Sequence, residues 1–204
     1  GIKHQGILNL MGRDNIDCPT RIQGSIFTVE AETMLRGDVF HDVSIVSWEG
    51  LLLFYFGHYI AHADNTLKHG PDYFGKVHFC SVEIWWDTLR RGVSCFEAAR
   101  LTGKKKYASA AQKMRTKTRK WILQGNPNLS HSKAILDAEW FVSRGRHKEA
   151  VSVYQNAILY AVRGGYQHEA AIASERLGNL HVLMRETDQA QYRLHQAIRY
   201  FRDW

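Results

Sequence analysis

Apolar residues recur at intervals of three and four along most of the chain, and no stretch sustains period-two alternation. That spacing predicts helices almost throughout. The breaks between them are marked by glycine and proline. His69-Gly70-Pro71-Asp72 and Gly125-Asn126-Pro127-Asn128 each place a helix-ending Gly just before a Pro suited to a helix start, with Ser130 as a candidate N-cap. Gly164-Gly165 is a third stop.

An internal repeat sharpens the picture. A shift of forty residues maps Ala150, Ala157, Ile158 and Tyr160 onto Ala190, Ala197, Ile198 and Tyr200. The same shift maps Tyr154 onto Leu194 and Ala161 onto Phe201, and within each copy the spacing i, i+4, i+7, i+8, i+11 is one helical face. A short turn precedes each face, Ser143-Arg144-Gly145-Arg146 in one copy and Arg185-Glu186-Thr187-Asp188 in the other. Ahead of each turn lies another apolar helix, with small Ala138 and Gly178 at equivalent positions that let paired helices approach closely. Helix, short turn, helix with small-large alternation is the tetratricopeptide pattern, here with a longer period than usual. The turns at Gly57, Gly103 and Gly145 are 46 and 42 residues apart, extending the pattern upstream. The expected fold is all-α: about four stacked antiparallel helix hairpins at 40–46-residue spacing, a tetratricopeptide-like α-solenoid occupying residues 26–204. Residues 1–25 read as an N-terminal helix and a loop.

Composition changes this little. At 204 residues, with 45% apolar and 23% charged positions, the chain can bury a core and does not read as disordered. The longest apolar run, Leu51 to Phe56, falls far short of the ~20 residues a membrane helix needs, so no membrane partner is expected. Cys18, Cys80 and Cys95 form no CxxC pair, which fits reduced, buried thiols and a cytoplasmic setting. Charge is more informative. The net charge is +7, and one segment, Lys104 to Lys120, carries Lys104, Lys105, Lys106, Lys113, Arg115, Lys117, Arg119 and Lys120 with no acid between them. Without it the chain would be nearly neutral.

The basic segment forms a helix whose inner face is Tyr107, Ala111, Met114, Thr118 and Trp121. Lys106, Lys113, Lys117 and Lys120 form a stripe roughly 90° or more away. Like charges at i, i+4 cost about 0.2–0.5 kcal/mol each, and the C-terminal cations recover about 0.3–1 kcal/mol each from the helix dipole. These terms roughly cancel, so a solvated face is the plain reading, an acidic partner the next, and nucleic acid is disfavoured because Tyr107 and Trp121 face the core.

Other candidate chemistry is sparse. Thr102-Gly103-Lys104-Lys105 lacks the upstream glycine and the hydroxyl of a phosphate-binding loop and reads as a helix–helix turn. His58 and His62, with Asp64 and His69 nearby, lack a third ligand on one face and read as surface or groove-lining histidines rather than a metal site. Glu139 and Glu175 are inward carboxylates on different hairpins, better suited to pairing with Arg144 or Arg176 than to acid–base work. No nucleophile, cofactor or metal site is expected, and the segment is read as non-enzymatic.

Several stretches resemble one family. They are Arg91-Gly-Val-Ser-Cys-Phe-Glu-Ala-Ala-Arg100, Thr102-Gly-Lys-Lys-Lys-Tyr107, Gly125-Asn-Pro-Asn-Leu-Ser-His131, Leu136-Asp-Ala-Glu-Trp140, Tyr154-Gln-Asn-Ala-Ile158, Glu169-Ala-Ala-Ile-Ala-Ser-Glu-Arg176 and Tyr192-Arg-Leu-His-Gln-Ala-Ile-Arg-Tyr200. Together they look like the helical-repeat region that follows the nucleotide-binding core of large multidomain signalling ATPases of the AAA/STAND type. Those proteins are often fused to protein kinase, GAF, histidine kinase or nucleotide cyclase modules. The likeness runs from about residue 88 to the end. It implies a place in an architecture, not a reaction, because the family's ATP-binding motifs lie in other domains. The implied partners are protein segments, above all flanking ATPase or kinase domains of the same chain. The start at Gly1 and the end at Trp204 fit an excerpt of a longer polypeptide. The candidate partner-binding residues are Lys106, Lys113, Lys117 and Lys120, with Asp137, Glu175 and Asn179 on the first helices of the last two hairpins. The alternative is nucleic-acid or other anionic-partner binding through the basic helix 104–120.

Overall fold

The computed structural model describes residues 2–14, 17–35, 37–70, 73 and 83–204. These residues are helical apart from turns and loops, with no strand among them. Pro71, Asp72 and Cys80 lie outside the described residues. The chain divides into two compact units, Gly1–Ala111 and Gln112–Trp204.

The first unit contains α1 (Ile2–Leu10), α2 (Val29–Leu35), α3 (Val39–Tyr55), α4 (Tyr59–His69), α5 (Glu83–Thr102) and the start of α6 (Lys105–Leu123). Ile22, Phe27, Ile45 and Leu52 form a core flanked by Leu10, Trp48 and Leu51. Gly6 lets α1 close on α3, since a Cβ there would come within 2.3 Å of the Trp48 ring. The loop after α1, which contributes Ile22 and Phe27 to this core, is also pinned by amides. Gln5 Oε1 accepts from the Ile26 and Phe27 N–H groups at 2.8 and 3.1 Å, and Asn9 Nδ2 donates to the Arg21 carbonyl at 2.6 Å. Both side chains are wholly buried, and the bonds offset the cost of removing their amides from water. In α5 a continuous run, Asp87 to Ala98, is buried, and Arg91 pairs with Asp87 one turn earlier at 2.6 Å.

The second unit contains the rest of α6, a 3-10 turn (Pro127–Leu129), α7 (Ser130–Ser143), α8 (His147–Arg163), α9 (Gln167–Leu183) and α10 (Thr187–Asp203). From α7 to α10 each helix packs on the next, and α7 also touches α9. Ala150, Tyr154, Ala157, Ile158 and Ala161 are buried, as the repeat predicts, and so are Ala190 and Ala197, whereas Tyr160 and Ile198 at repeated positions are exposed. Gly178 is a close approach: a Cβ would meet the Leu194 side chain at 2.8 Å. Ser130 does not act as the expected N-cap. It is the first residue of α7, and its hydroxyl donates backwards to the Pro127 carbonyl at 2.7 Å.

Three turns in this unit repeat every twenty residues. At each, one residue with positive φ follows the helix: Gly145 at 69°, Gly165 at 76° and Arg185 at 63°. The same two bonds close each turn. Gly145 N–H donates to Val142 O and Arg146 N–H to Phe141 O; the pairs at Gly165/Tyr166 and Arg185/Glu186 match them. These bonds satisfy carbonyls that a helix end leaves unpaired. Arg185 is the sole non-glycine residue in the left-handed region among the described residues, where a Cβ costs about 1–2 kcal/mol.

Replacing Arg185 with Gly is therefore expected to stabilise the chain by about 1 kcal/mol. Gly165→Ala, at a site where a Cβ meets no neighbour within 4 Å, is expected to destabilise by a similar amount. Urea unfolding midpoints of the two variants check both signs.

Candidate functional site

Helix α6 turns the predicted face inward. Tyr107, Ala111, Met114 and Thr118 are buried and Trp121 is half-buried. The eight cations meet different fates. Lys106 pairs with Asp64 at 3.2 Å, beside a 2.7 Å bond from the Tyr107 hydroxyl to the same carboxylate oxygen. Arg115 donates to Asp137 at 2.5 Å and lies 4.6 Å over the Trp140 ring. Lys117 lies 5.1 Å over the Trp121 ring. Lys113, Arg119 and Lys120 are exposed and have no ion-pair partner among the described residues, and Thr116 and Gln112 are exposed beside them.

Where the helix starts alters its electrostatic balance. Lys105 and Lys106 occupy its first turn, with Lys104 just before it and no acid there, and only Lys120 falls in the last turn. Cations at a helix N-terminus oppose the dipole by about 0.3–1 kcal/mol each. The dipole thus favours Lys120 and opposes Lys105 and Lys106, of which Lys106 is offset by its pairing with Asp64.

The other expected surface groups separate. Asp137 is half-buried, held between Arg115 and Lys133. Glu175 is half-buried on α9, and burial pushes its carboxyl above the usual range, against the opposing charge of Arg176. Asn179, one turn on, is exposed. Neither Glu175 nor Asn179 makes a side-chain hydrogen bond or ion pair among the described residues, so the seven expected residues do not converge on one site.

Of the two arginines considered for Glu139, Arg176 takes the role. Its Nε and Nη2 donate to the two Glu139 oxygens at 2.6 and 3.2 Å, and the Tyr154 hydroxyl donates at 2.7 Å. The group is buried and joins α7, α8 and α9. Desolvation, then the Glu139 charge, drives the Tyr154 phenol well above its ordinary range. With both oxygens engaged, Glu139 is a structural anchor.

His62 is not at a surface or groove. It is 1% exposed, its Nδ1 lies 2.9 Å from Ser94 Oγ, and its Nε2 has no hydrogen-bond partner. Gly50 of α3 accommodates the ring, since a Cβ there would lie 3.0 Å from Nε2. Burial, followed by the charges of Arg91 and Arg90, pushes its pKa well below 6.5. His58 is the exposed residue before α4, and His69 stacks on Tyr73 at 4.6 Å. No group of three potential metal ligands occurs among the described residues. Cys95 is buried and pushed up to about 12 by desolvation, an inert thiol. Cys18, expected to be buried, is exposed because it lies in the loop after α1. Gly103 makes the expected helix–helix turn, with φ of 67°. One cluster has no sequence signal. Buried Glu169 lies between His131 and His168 at 4.0 and 3.8 Å, with Tyr166 stacked on His131 and Trp204 on His168. These residues come together only when α7, α9 and the end of α10 pack.

Compared with protein-family models, curated proteins and solved structures, the chain matches none. None of the described helices is long and apolar enough to cross a membrane.

Glu139→Ala is expected to cost about 3–5 kcal/mol, since it strands a buried guanidinium, while the double change Glu139→Leu with Arg176→Met should cost far less. Chemical denaturation of the pair as a double-mutant cycle tests this. Acid should destabilise the chain through His62. The unfolded imidazole takes a proton below about pH 6.5 while the buried one stays neutral, so stability present above that pH falls by up to about 1.4 kcal/mol per pH unit below it. The raised carboxylates of Glu49 and Glu175 act with the opposite sign and at lower pH. The loss of Tm between pH 7.5 and 5.5 should therefore be smaller in His62→Asn than in the parent.

Proposed function

We propose that the chain is a non-catalytic helical-repeat interaction module, a tetratricopeptide-like stack of antiparallel hairpins working in the cytoplasm. Its partners in this reading are protein segments, above all flanking ATPase or kinase domains of the same polypeptide. The observation that carries the reading is the twenty-residue cadence of left-handed turns at Gly145, Gly165 and Arg185, joining four helices that each pack on the next. A hairpin of this kind cannot bury its apolar face alone; stacking supplies the burial and leaves an elongated surface for a partner. The engagement of both Glu139 oxygens in a buried ion pair is in keeping with a scaffold.

An antibody raised against this segment, used on a denaturing blot of the native source, tests the placement. A band several times larger than 23.5 kDa is expected. A band near that mass overturns the flanking-domain part of the reading and leaves a free-standing repeat protein.

A further inference from the structure

We infer that the outward face of the second half of α6, formed by Lys113, Thr116, Arg119 and Lys120, is a docking strip for an acidic protein segment. The inference rests on the interaction-module reading and names the chemistry of one partner.

Charge is kept on this helix against its own stability. Lys105 and Lys106 stand in the N-terminal turn, like charges stand at i, i+4, and α6 carries no acid of its own. Asp64 and Asp137 compensate two of its cations; the exposed cations left without an internal partner point to a use outside the fold. Which cations are available follows from their rotation about the helix axis. Arg115 is spent on Asp137 and Trp140, and Lys106 on Asp64. Lys113, Arg119 and Lys120 remain exposed without ion-pair partners among the described residues. Lys113 and Lys120 are two turns apart, about 10.5 Å along the axis, and the Thr116 hydroxyl lies between them. Lys113 and Lys120 stand about 20° apart around the axis and Arg119 about 100° from Lys120, on the far side of Thr116, so the exposed face carries a line of two lysines with one arginine beside it.

Two lysines a heptad apart suit carboxylates at the same spacing on a helical segment. A duplex nucleic acid presents two phosphate rows, and of the two arginines on the edge beyond Thr116 one, Arg115, is already neutralised by Asp137, which leaves Arg119 alone there. A single strand needs aromatic faces to stack on, and the two aromatics of α6 are turned inward, Tyr107 fully and Trp121 in part beneath Lys117. A helical acidic segment with Glu at every third or fourth position repeats at the pitch of the strip.

The test uses the full chain and a fluorescein-labelled Glu/Ala helical peptide of about fourteen residues, read by anisotropy at low and physiological salt. Binding is expected at low salt and should weaken as salt rises. The variant Lys113→Glu, Arg119→Glu, Lys120→Glu should bind at least about tenfold more weakly, and the three-Gln variant should lie between. Lys148→Glu with Arg163→Glu, exposed cations elsewhere in the same unit, should bind like the parent. Far-UV circular dichroism checks that each variant is helical; should the Glu variant unfold, the Gln variant decides. The inference is overturned if the peptide is not bound, if the strip variants bind as the parent does, if the control variant is weakened equally, or if a DNA duplex or single strand of matching charge binds more tightly than the peptide. None of these outcomes touches the mass of the native polypeptide, so the strip and the module reading can fail separately.

Discussion

The second unit depends on one buried contact, the Glu139 carboxylate held by Arg176 and Tyr154. It ties α7, α8 and α9 at a single point, beside the buried His131–Glu169 contact of α7 with α9. Apolar packing tolerates sliding by a turn; a two-pronged guanidinium on a carboxylate does not. The ion pair thus fixes register while Ala150, Ala157, Ala161 and Leu177 supply the burial. Removing two charges from water sets a cost that only complete satisfaction offsets, which is why both carboxylate oxygens are engaged.

Register along the chain is set by the turns. Two backbone bonds close each turn identically, and the twenty-residue interval delivers each helix to its neighbour with the same face inward. Glycine makes the turn cheap, but Arg185 shows that the turn does not require it. There the packing of α9 on α10, with Leu194 set against Gly178, holds a conformation the residue itself disfavours.

The periodic part of this architecture is legible in the sequence because it is local. Helix faces are spelled by spacing, and turns by Gly57, Gly103, Gly145 and Gly165. The forty-residue shift even places Arg185 at the Gly145 position. What escapes is whatever depends on a partner far along the chain. His62 looks like a surface imidazole until Ser94, on α5, reaches its Nδ1 and Gly50, on α3, clears room for the ring. Asp137 looks like a free polar group until Arg115 reaches it from α6. Gln5 and Asn9 give no hint that they bond a loop beyond residue 17. Burial of a polar side chain is a statement about two segments, and one segment's spacing cannot carry it.

The basic run of α6 illustrates the same division within one helix. Counted as composition, it is eight cations and a candidate patch. Turned through 100° per residue, it becomes several populations with different physics. Arg115 faces α7, where a carboxylate and an indole ring hold its guanidinium, and there it contributes to packing. Lys113 and Lys120 face away, make no ion pair among the described residues, and stand near like charges, Lys120 alone being favoured by the helix dipole in the last turn. A substitution at Arg115 is accordingly a stability change, whereas one at Lys113 or Lys120 relieves repulsion and leaves the core untouched. The exposed strip of α6 is thus the part of its charge that the described contacts do not use.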